Sequence, residues 1–444
     1  MVRAPLERIF RHRDVEKFYI GALSSYFLLL AIYTFYIAPV WSAGGFGLDF
    51  SLLRTFISVV LLGGFTAILP IRTETTRGFF LTLILLIQLI PLLVLYSAGG
   101  ANTVDTLIFL SGIAVVFVVS SVQAPIERFG FLSMGLVQIL FVIMSALAVA
   151  LLIIYNGVDS FNLNIANVYK YRHVALSDSP YIIMYVFPVV AKVLIPFGAV
   201  FSFYKKNYVL SLVFLICSVM LFGLTSHKSI VFYVIFSFIL YILWNYWRKG
   251  WVVSAVFGAA LVLAAIDAFI FRFAGWDWLW GWYASLGVRR ALLVPALLNY
   301  LHLDFFWQNP QALWANSKIT LGLIDYPYDL PIPNLIGREY YGSSETSANT
   351  GYLGSGFAQA GPVGLIAYSI GVGLVIAILD ALGRKIGHRV VVAAASAQVV
   401  TMVLSADFVT MFLTHGLFVS VLVLLAIRPD AGAEKAAATP EVAS

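Results

Sequence analysis

Charged residues are scarce in this 444-residue sequence, and cysteine is almost absent. Asp, Glu, Lys and Arg make up 11% of the chain, whereas in soluble domains they make up about a quarter. This shortage of charge excludes an ordinary soluble domain. The single cysteine, Cys217, allows neither an intramolecular disulfide nor a thiol-ligated metal cluster.

Several motifs that carry phosphate or metal chemistry are also missing. The chain has no GxxxxGK[ST] phosphate-binding loop, no HExxH zinc motif, no CxxC pair and no Asp-x-Asp pair of the kind that holds a metal-bound diphosphate. We therefore expect no metal ion and no cofactor. If the protein binds a diphosphate, Arg and Lys side chains must supply the compensating charge.

Long apolar runs dominate what is present. Hydrophobic residues make up 61% of the chain, and the mean hydropathy is +0.95. Because a run of about 20 apolar residues crosses a bilayer, the sequence predicts an all-α polytopic membrane protein. We predict twelve spans, or eleven if the last two are counted as one: Phe18–Ala38, Phe50–Pro70, Phe79–Ser97, Val104–Val122, Phe131–Ile154, Tyr181–Tyr204, Tyr208–Leu224, Ser229–Trp247, Trp251–Phe271, Gly356–Asp380, Val391–Ser405 and Phe408–Ile427.

Lys and Arg are distributed unequally between the two sets of turns that join these spans. With the N-terminus inside, the inner turns and tails collect most cations, whereas the short outer turns at 39–49, 98–103 and 406–407 contain none. The positive-inside rule therefore places both termini in the cytoplasm. The chain divides into residues 1–271 with nine spans and an outer loop at 155–180, a large outer loop at 272–355, three spans at 356–428 and a flexible tail at 429–444.

The large outer loop is the first candidate functional region, since polar and aromatic residues replace aliphatic runs there. Arg289 and Arg290 are adjacent on a predicted helix, about 100° apart, and guanidinium forks match phosphate oxygens. Trp280 belongs to a tryptophan series that could hold carbohydrate or form an interfacial aromatic belt. The composition of the loop therefore predicts a substrate that is an amphiphile and carries both phosphate and sugar.

Cations elsewhere offer further candidates with open alternatives. Lys192 lies in mid-span between two prolines, where it could line a substrate cavity or pair with Asp105 or Asp267. His227 and Lys228 open a helix, which favours anion binding or simple capping by a neighbouring serine. Arg172 and His173 lie in an aromatic outer stretch that could bind an anionic ligand or lie at the headgroup level. Sequence alone does not choose between these alternatives.

Several segments together resemble the Wzy-type O-antigen polymerases, which join oligosaccharide repeat units. They are the turn Ser226-His227-Lys228-Ser229, the Arg289-Arg290 pair, the run Asp325-Tyr326-Pro327, and the glycine-rich segments 348–356 and 361–364. The resemblance covers most of the chain in topology and residues 225–364 in motif. It implies a glycosyltransferase of the bacterial inner membrane that transfers a growing glycan from undecaprenyl diphosphate to another lipid-linked repeat unit at the outer face.

The resemblance also implies roles for particular residues. The family's reliance on outward arginines carries over to Arg172, Arg289 and Arg290, with Lys228 as an addition, and the candidates for the general base are His302, Glu339 and Glu345. Taken together with the residues singled out from the sequence itself, Arg289 and Arg290 are expected to be catalytic, and the expected substrate-binding residues are Arg172, His173, Lys192, His227, Lys228, Trp280, Arg338, Tyr341 and Asn349. The expected partners are an undecaprenyl-diphosphate-linked oligosaccharide, membrane lipid, and chain-length regulator and flippase proteins, with no nucleic acid. The alternatives are an O-antigen ligase, which shares the architecture, or a transporter or flippase, which should show an internal repeat that this sequence lacks.

Overall fold

The computed structural model describes residues 3–68, 74–123, 126, 130–158, 161–164, 186–227, 229–274, 280–315 and 317–428. These residues form helices and no strand. In chain order the longer helices are α1 (Arg3–Ile32), α2 (Leu52–Ile68), α3 (Thr76–Ala98), α4 (Thr103–Val119), α5 (Met134–Asn156), α6 (Val186–Tyr204), α7 (Tyr208–Thr225), α8 (Ser229–Ile242), α9 (Gly250–Phe273), α10 (Val294–Gln308), α11 (Ile332–Tyr341), α12 (Tyr352–Ile386), α13 (His388–Leu404) and α14 (Leu417–Ala426).

Seven helices among the described residues are long and apolar enough to cross a membrane. They are Asp14–Gly44, which continues α1, together with α3, α5, α6, α7, α9 and α12. Five shorter apolar helices, α2, α4, Ile230–Ile242 within α8, α13 and α14, lie within other predicted spans or overlap them. The all-α class is thus confirmed, and the number of helices that cross a membrane stays a prediction.

The helices belong to two compact units. The first takes in the chain up to Val122, Tyr246–Ile376 and Val400–Phe408, and the second takes in Gln123–Asn245, Ala377–Val399 and the chain from Val409. Helices α12 and α13 therefore each contribute residues to both units.

In the first unit, α1 packs closely along α9. Small residues permit the approach, because a Cβ on Gly21 would lie 2.4 Å from Ser254 Oγ. A buried chain of hydroxyls adds to this core: Tyr26 OH lies 2.6 Å from Ser97 Oγ, which lies 2.9 Å from Ser58 Oγ. Hydroxyl groups that bond one another in this way can be buried among apolar helices at little cost.

The second unit is built mainly around α6 and its neighbours α5, α7 and α8. The ring of Phe214 on α7 fills the space that a side chain on Gly198 of α6 would need. Gln138 Nε2 donates to Ser202 Oγ over 3.1 Å, which links α5 to α6. Arg389 donates through Nε to Tyr241 O at 2.7 Å, and its guanidinium lies 3.8 Å from the centre of that tyrosine ring.

Helix α12 is broken near its start, within the glycine-rich segment. Ala360 and Gly361 leave helical geometry, Gly361 has a φ of +58°, and Pro362 follows. The carbonyls freed by the break are satisfied from outside, since Ala358 O and Gln359 O accept from Ala312 N and Leu313 N at 2.9 and 2.8 Å. The break therefore lies inside the predicted span Gly356–Asp380, and the helical segment before it already begins at Tyr352.

Two glycines allow the chain to fold sharply at this break. A Cβ on Gly364 would lie 2.2 Å from Gly356 O, so the two backbones touch. No residue with a side chain fits at Gly364 without moving the segment before the break. The glycines that contributed to the family resemblance therefore have a local structural role.

Candidate functional site

A carboxylate in α9 fixes the start of the helix that carries Arg289 and Arg290. Asp267 is 6% exposed, and its two oxygens accept from Gly281 N at 3.0 Å and Ala284 N at 2.8 Å. These backbone donors would otherwise be unsatisfied at a helix start, where a negative charge is also favourable. Sequence reasoning considered Asp267 as a partner for Lys192; its oxygens instead accept these two N–H groups.

Beyond this start, Ala284–Leu293 forms a π-helical segment that runs into α10. Such wide turns are rare in proteins overall, and those that do occur often lie at functional sites. They put Arg289 in a half-buried position and Arg290 in an exposed one. The two adjacent guanidiniums therefore have different surroundings, as their predicted angular separation requires.

Arg289 is held by an aromatic ring and a hydroxyl. Its guanidinium carbon lies 3.6 Å from the ring centre of Trp41, and Nε and Nη2 donate to Ser285 Oγ at 3.2 and 3.1 Å. Burial, followed by the charge of Arg290, lowers the pKa of Arg289 below its usual value. Among the described residues, no carboxylate forms an ion pair with Arg289. Within the part of the chain that the structure describes, this cation is thus oriented without being neutralised.

An apolar groove of about 370 Å³ lies between α1 with its continuation and α9. Ile32, Phe35 and Tyr36 line one wall, and Ala268 and Phe269 are among the residues of the other.

The groove has one charged lining residue among those described, the exposed Arg272 at the end of α9. Tyr36 connects the groove to the helix that carries Arg289. Its hydroxyl donates to Gly281 O at 3.1 Å, and it interacts electrostatically with Arg289. The apolar groove therefore has the guanidinium of Arg272 in its lining and is connected through Tyr36 to the helix that carries Arg289.

Arg338, another cation of the large predicted loop, has different surroundings. It lies on α11 and donates through Nη1 and Nη2 to Asp329 at 2.7 and 3.0 Å. This bidentate bond lowers the pKa of Asp329 below the usual carboxyl value. On the same helix, the Tyr340 hydroxyl donates to Asp304 Oδ2 at 2.5 Å, and Tyr341 is half-buried. The Arg338 charge is thus already matched by a carboxylate.

An amide that sequence reasoning missed ties α10 to the glycine-rich segment. Asn299 is 2% exposed, and its Oδ1 accepts from Thr350 Oγ1 at 3.0 Å and Gly354 N at 2.8 Å. Its Nδ2 donates to Pro295 O at 2.9 Å. Asn349, a predicted substrate residue, is exposed, and its Nδ2 donates to Ser347 Oγ. The helix with the arginines and the broken helix are thereby fastened to each other.

The candidate general bases differ in access. His302 is 1% exposed and its Nδ1 lies 2.7 Å from Leu298 O, and burial lowers its pKa to about 4. Glu345 is exposed in the segment that leads into α12, and Glu339 is exposed on α11. Only the two glutamates have the access that an incoming hydroxyl requires.

The remaining predicted residues lie in several places. Trp280 is half-buried, and its indole N–H has no hydrogen-bond partner in the part of the chain that the structure describes. Lys192 lies in the π-helical turn Val190–Leu194, where its carbonyl accepts from Gln398 and its charge interacts with His415. His227 Nδ1 lies 2.8 Å from Thr225 O. Three predicted residues fall outside the described residues: Arg172, His173 and Lys228.

Sequence reasoning missed Trp41 and Tyr36 as well as Asn299. A charged residue inside an apolar run does signal function, and this signal pointed to Asp267 without revealing its partners. Nothing local in the sequence links Trp41 to Arg289, because that contact joins residues 248 positions apart.

Among the described residues, no group of three or more His, Cys, Asp or Glu side chains is placed to hold a metal ion. No family model, no curated protein and no solved structure matches this chain.

Proposed function

We propose that this protein polymerises undecaprenyl-diphosphate-linked oligosaccharide repeat units into a surface polysaccharide, at the outer face of the bacterial inner membrane. The observation that carries the proposal is the apolar groove of α1 and α9, which has Arg272 in its lining and is linked through Tyr36 and Gly281 to the start of the helix that carries Arg289. A ligand with a long apolar chain and an anionic head would be complementary to both parts of this site: its chain to the apolar groove and its head to the arginines. The choice of a polymerase among enzymes with such substrates rests on the resemblance in residues 225–364.

The groove suits the isoprenoid part of the carrier. Its lining is apolar apart from Arg272 and the Tyr36 hydroxyl, so an isoprenoid chain would meet surroundings there that are as apolar as the bilayer core. In the predicted orientation with twelve spans and both termini inside, the groove opens near the outer ends of the first and ninth spans. The diphosphate would then lie at the level of the arginines.

The arginines suit the diphosphate. Arg289 is oriented by Trp41 and Ser285, and Arg290 is exposed next to it. Guanidiniums bind phosphate oxygens through two parallel N–H bonds, and donors fixed before the reaction stabilise charge that develops in the transition state. Arg272 supplies a third cation at the groove.

In the reaction, a sugar hydroxyl of the acceptor repeat unit attacks the anomeric carbon of the donor glycan. The bond from that carbon to the diphosphate oxygen breaks, and undecaprenyl diphosphate leaves with the bonding electron pair. Arg289 and Arg290 stabilise the charge on the leaving group, while Glu345 or Glu339 accepts the proton of the hydroxyl. The balanced products are a glycan longer by one transfer and the free carrier diphosphate.

Cells that lack the protein test this function against its relatives. We expect them to accumulate single repeat units on the carrier at the outer face, and the plasmid-borne protein to restore long polymer. Long polymer that remains on the carrier because it never reaches its final acceptor would identify a ligase instead. Repeat units that stay on the cytoplasmic side would identify a flippase.

A further inference from the structure

In the second unit, Lys385 is a buried cation near the end of α12. The residue is 6% exposed, and its Nζ donates to Leu425 O at 2.8 Å. An ammonium carries three donors, but that carbonyl is its one recorded acceptor, and no described carboxylate forms an ion pair with it. Asp380 on the same helix pairs with Arg384 at 2.7 Å. A buried charge with this little compensation indicates that an anion completes its surroundings.

The carbonyl that accepts from this lysine belongs to a residue that lines an apolar cavity of about 720 Å³. Leu425, whose carbonyl accepts from Lys385, is one of its lining residues. Other parts of the lining come from the segment before α5, from α5 itself and from α14, including Phe131, Leu140, Phe141 and Val423. Every residue of the lining is apolar, so ordered water would lack the polar partners it needs there.

A second cation, Arg428, comes two residues after Ala426, the last residue of this lining along the chain. Arg428 follows α14, its backbone N–H donates to Leu132 O at 3.0 Å, and its side chain is exposed. Leu132 also lines the cavity. An apolar space with cations beside it at a helix end is the arrangement expected for a lipid at the membrane interface.

We propose that this cavity binds one acyl chain of an anionic phospholipid, whose phosphate is held by Lys385 and Arg428. A free phosphate would leave the cavity empty, and an uncharged lipid would leave Lys385 without its anion. Because the site lies wholly in the second unit, the proposal does not depend on the polymerase function. The cation distribution places this site on the cytoplasmic side.

Native mass spectrometry of the purified full-length protein tests the proposal. The protein is equilibrated in micelles with equal amounts of phosphatidylglycerol and phosphatidylcholine that carry the same acyl chains. We expect retained lipid to be enriched in phosphatidylglycerol, by about fivefold for each cation that contacts the phosphate. In Lys385→Gln/Arg428→Gln the enrichment should disappear. The matched control Lys249→Gln, an exposed cation at the start of α9, should keep it.

Two more variants separate the head from the tail. Arg428→Gln alone changes an exposed side chain, so it should fold normally and lose about fivefold of the enrichment. Val423→Phe fills the cavity and should reduce retention of both lipids. Equal retention of the two lipids by the unaltered protein, or unchanged enrichment in the double variant, would overturn the proposal. Full retention in Val423→Phe would also overturn it, because the acyl chain would then bind elsewhere.

Discussion

Arg289 and Arg338 both come from the interval that the sequence predicted as one outer loop, but their surroundings are opposite. Arg289 lies on the face of Trp41 with Ser285 as its hydrogen-bond acceptor. Arg338 forms a bidentate ion pair with Asp329. An aromatic ring orients a guanidinium and leaves its positive charge available to an anion, whereas a carboxylate cancels that charge. Arginine content alone therefore does not identify a phosphate site.

The supports of the two arginines differ in the same way. Behind Arg289 are a buried carboxylate, Asp267, and the Tyr36 hydroxyl, both bonded to the start of its helix. Arg338 and Asp329 are both exposed. We infer that the first region is built to hold a charge in place, and that the second stabilises the fold of its own segment.

The largest expected effect comes from removing the available charge. Arg289→Ala/Arg290→Ala should lower glycosyl transfer by a factor of 100 to 1,000 or more, since one prepositioned donor to a developing anion is typically worth about 10²–10³ in rate. The single variant Arg289→Lys should keep only part of the transfer activity, because an ammonium lacks the bidentate fork. The measurement is the polymer length distribution in complemented cells at matched protein abundance. An unchanged distribution in the double variant would remove these residues from the mechanism.

A smaller effect should follow from disturbing the support. Asp267→Asn replaces one acceptor oxygen by a donor, which leaves a buried backbone N–H unsatisfied at a cost of about 1–3 kcal/mol. We expect a lower unfolding temperature and reduced transfer per molecule. Asp49→Asn, which changes an exposed carboxylate paired with Arg54, is the control and should change neither. Full transfer in Asp267→Asn would show that the start of the helix does not position Arg289.

A smaller effect again is expected from removing the aromatic ring of Trp41, which lies against Arg289. Trp41→Leu removes a cation–π contact worth about 0.5–2 kcal/mol, so transfer should fall by roughly threefold to thirtyfold. Trp41→Phe keeps a ring and should lose less. The matched control is Trp251→Leu, since Trp251 of α9 is in a cation–π contact with Lys17 of α1 at 5.0 Å. An equal loss in both leucine variants would show that the loss of a tryptophan, and not of the contact with Arg289, lowers transfer.

The smallest effect is expected at the matched pair. Asp329→Asn leaves Arg338 without its carboxylate, but both side chains are exposed, and exposed ion pairs contribute little. Transfer at neutral pH should stay unchanged within error. Because Arg338 lowers the pKa of Asp329, the contribution of the pair is fully present above the usual carboxyl pKa and is lost as the pH falls through the lowered pKa. A loss of transfer comparable to that of the Arg289 variants would break the contrast between the two regions.

Much of the helical architecture could be predicted, because long apolar runs leave few alternatives. The predicted run Trp251–Phe271 lies within the observed α9, Gly250–Phe273. The predicted boundary at Gly356 differs from the structure, since apolar content does not reveal that Ala358 O and Gln359 O are satisfied by a distant segment. Backbone breaks of this kind depend on partners that are remote in sequence.

The candidate site was harder to predict for the same reason. The sequence pointed to Arg289 and Arg290, and the structure adds what surrounds them. Arg338 was predicted to bind substrate, because the carboxylate of Asp329 nine positions earlier carries no local signal of pairing. His302 has the residue type of a general base, but its burial and its bond to Leu298 O are tertiary features.

In the proposed mechanism, arginine side chains stabilise the leaving diphosphate without a bound metal ion. Turnover of purified protein with lipid-linked repeat units, assayed with and without EDTA, measures this directly. We expect equal turnover in both conditions, and turnover lost in Arg289→Ala/Arg290→Ala but kept in Arg338→Ala. Turnover that vanishes with EDTA and returns with Mg²⁺ or Mn²⁺ would contradict it.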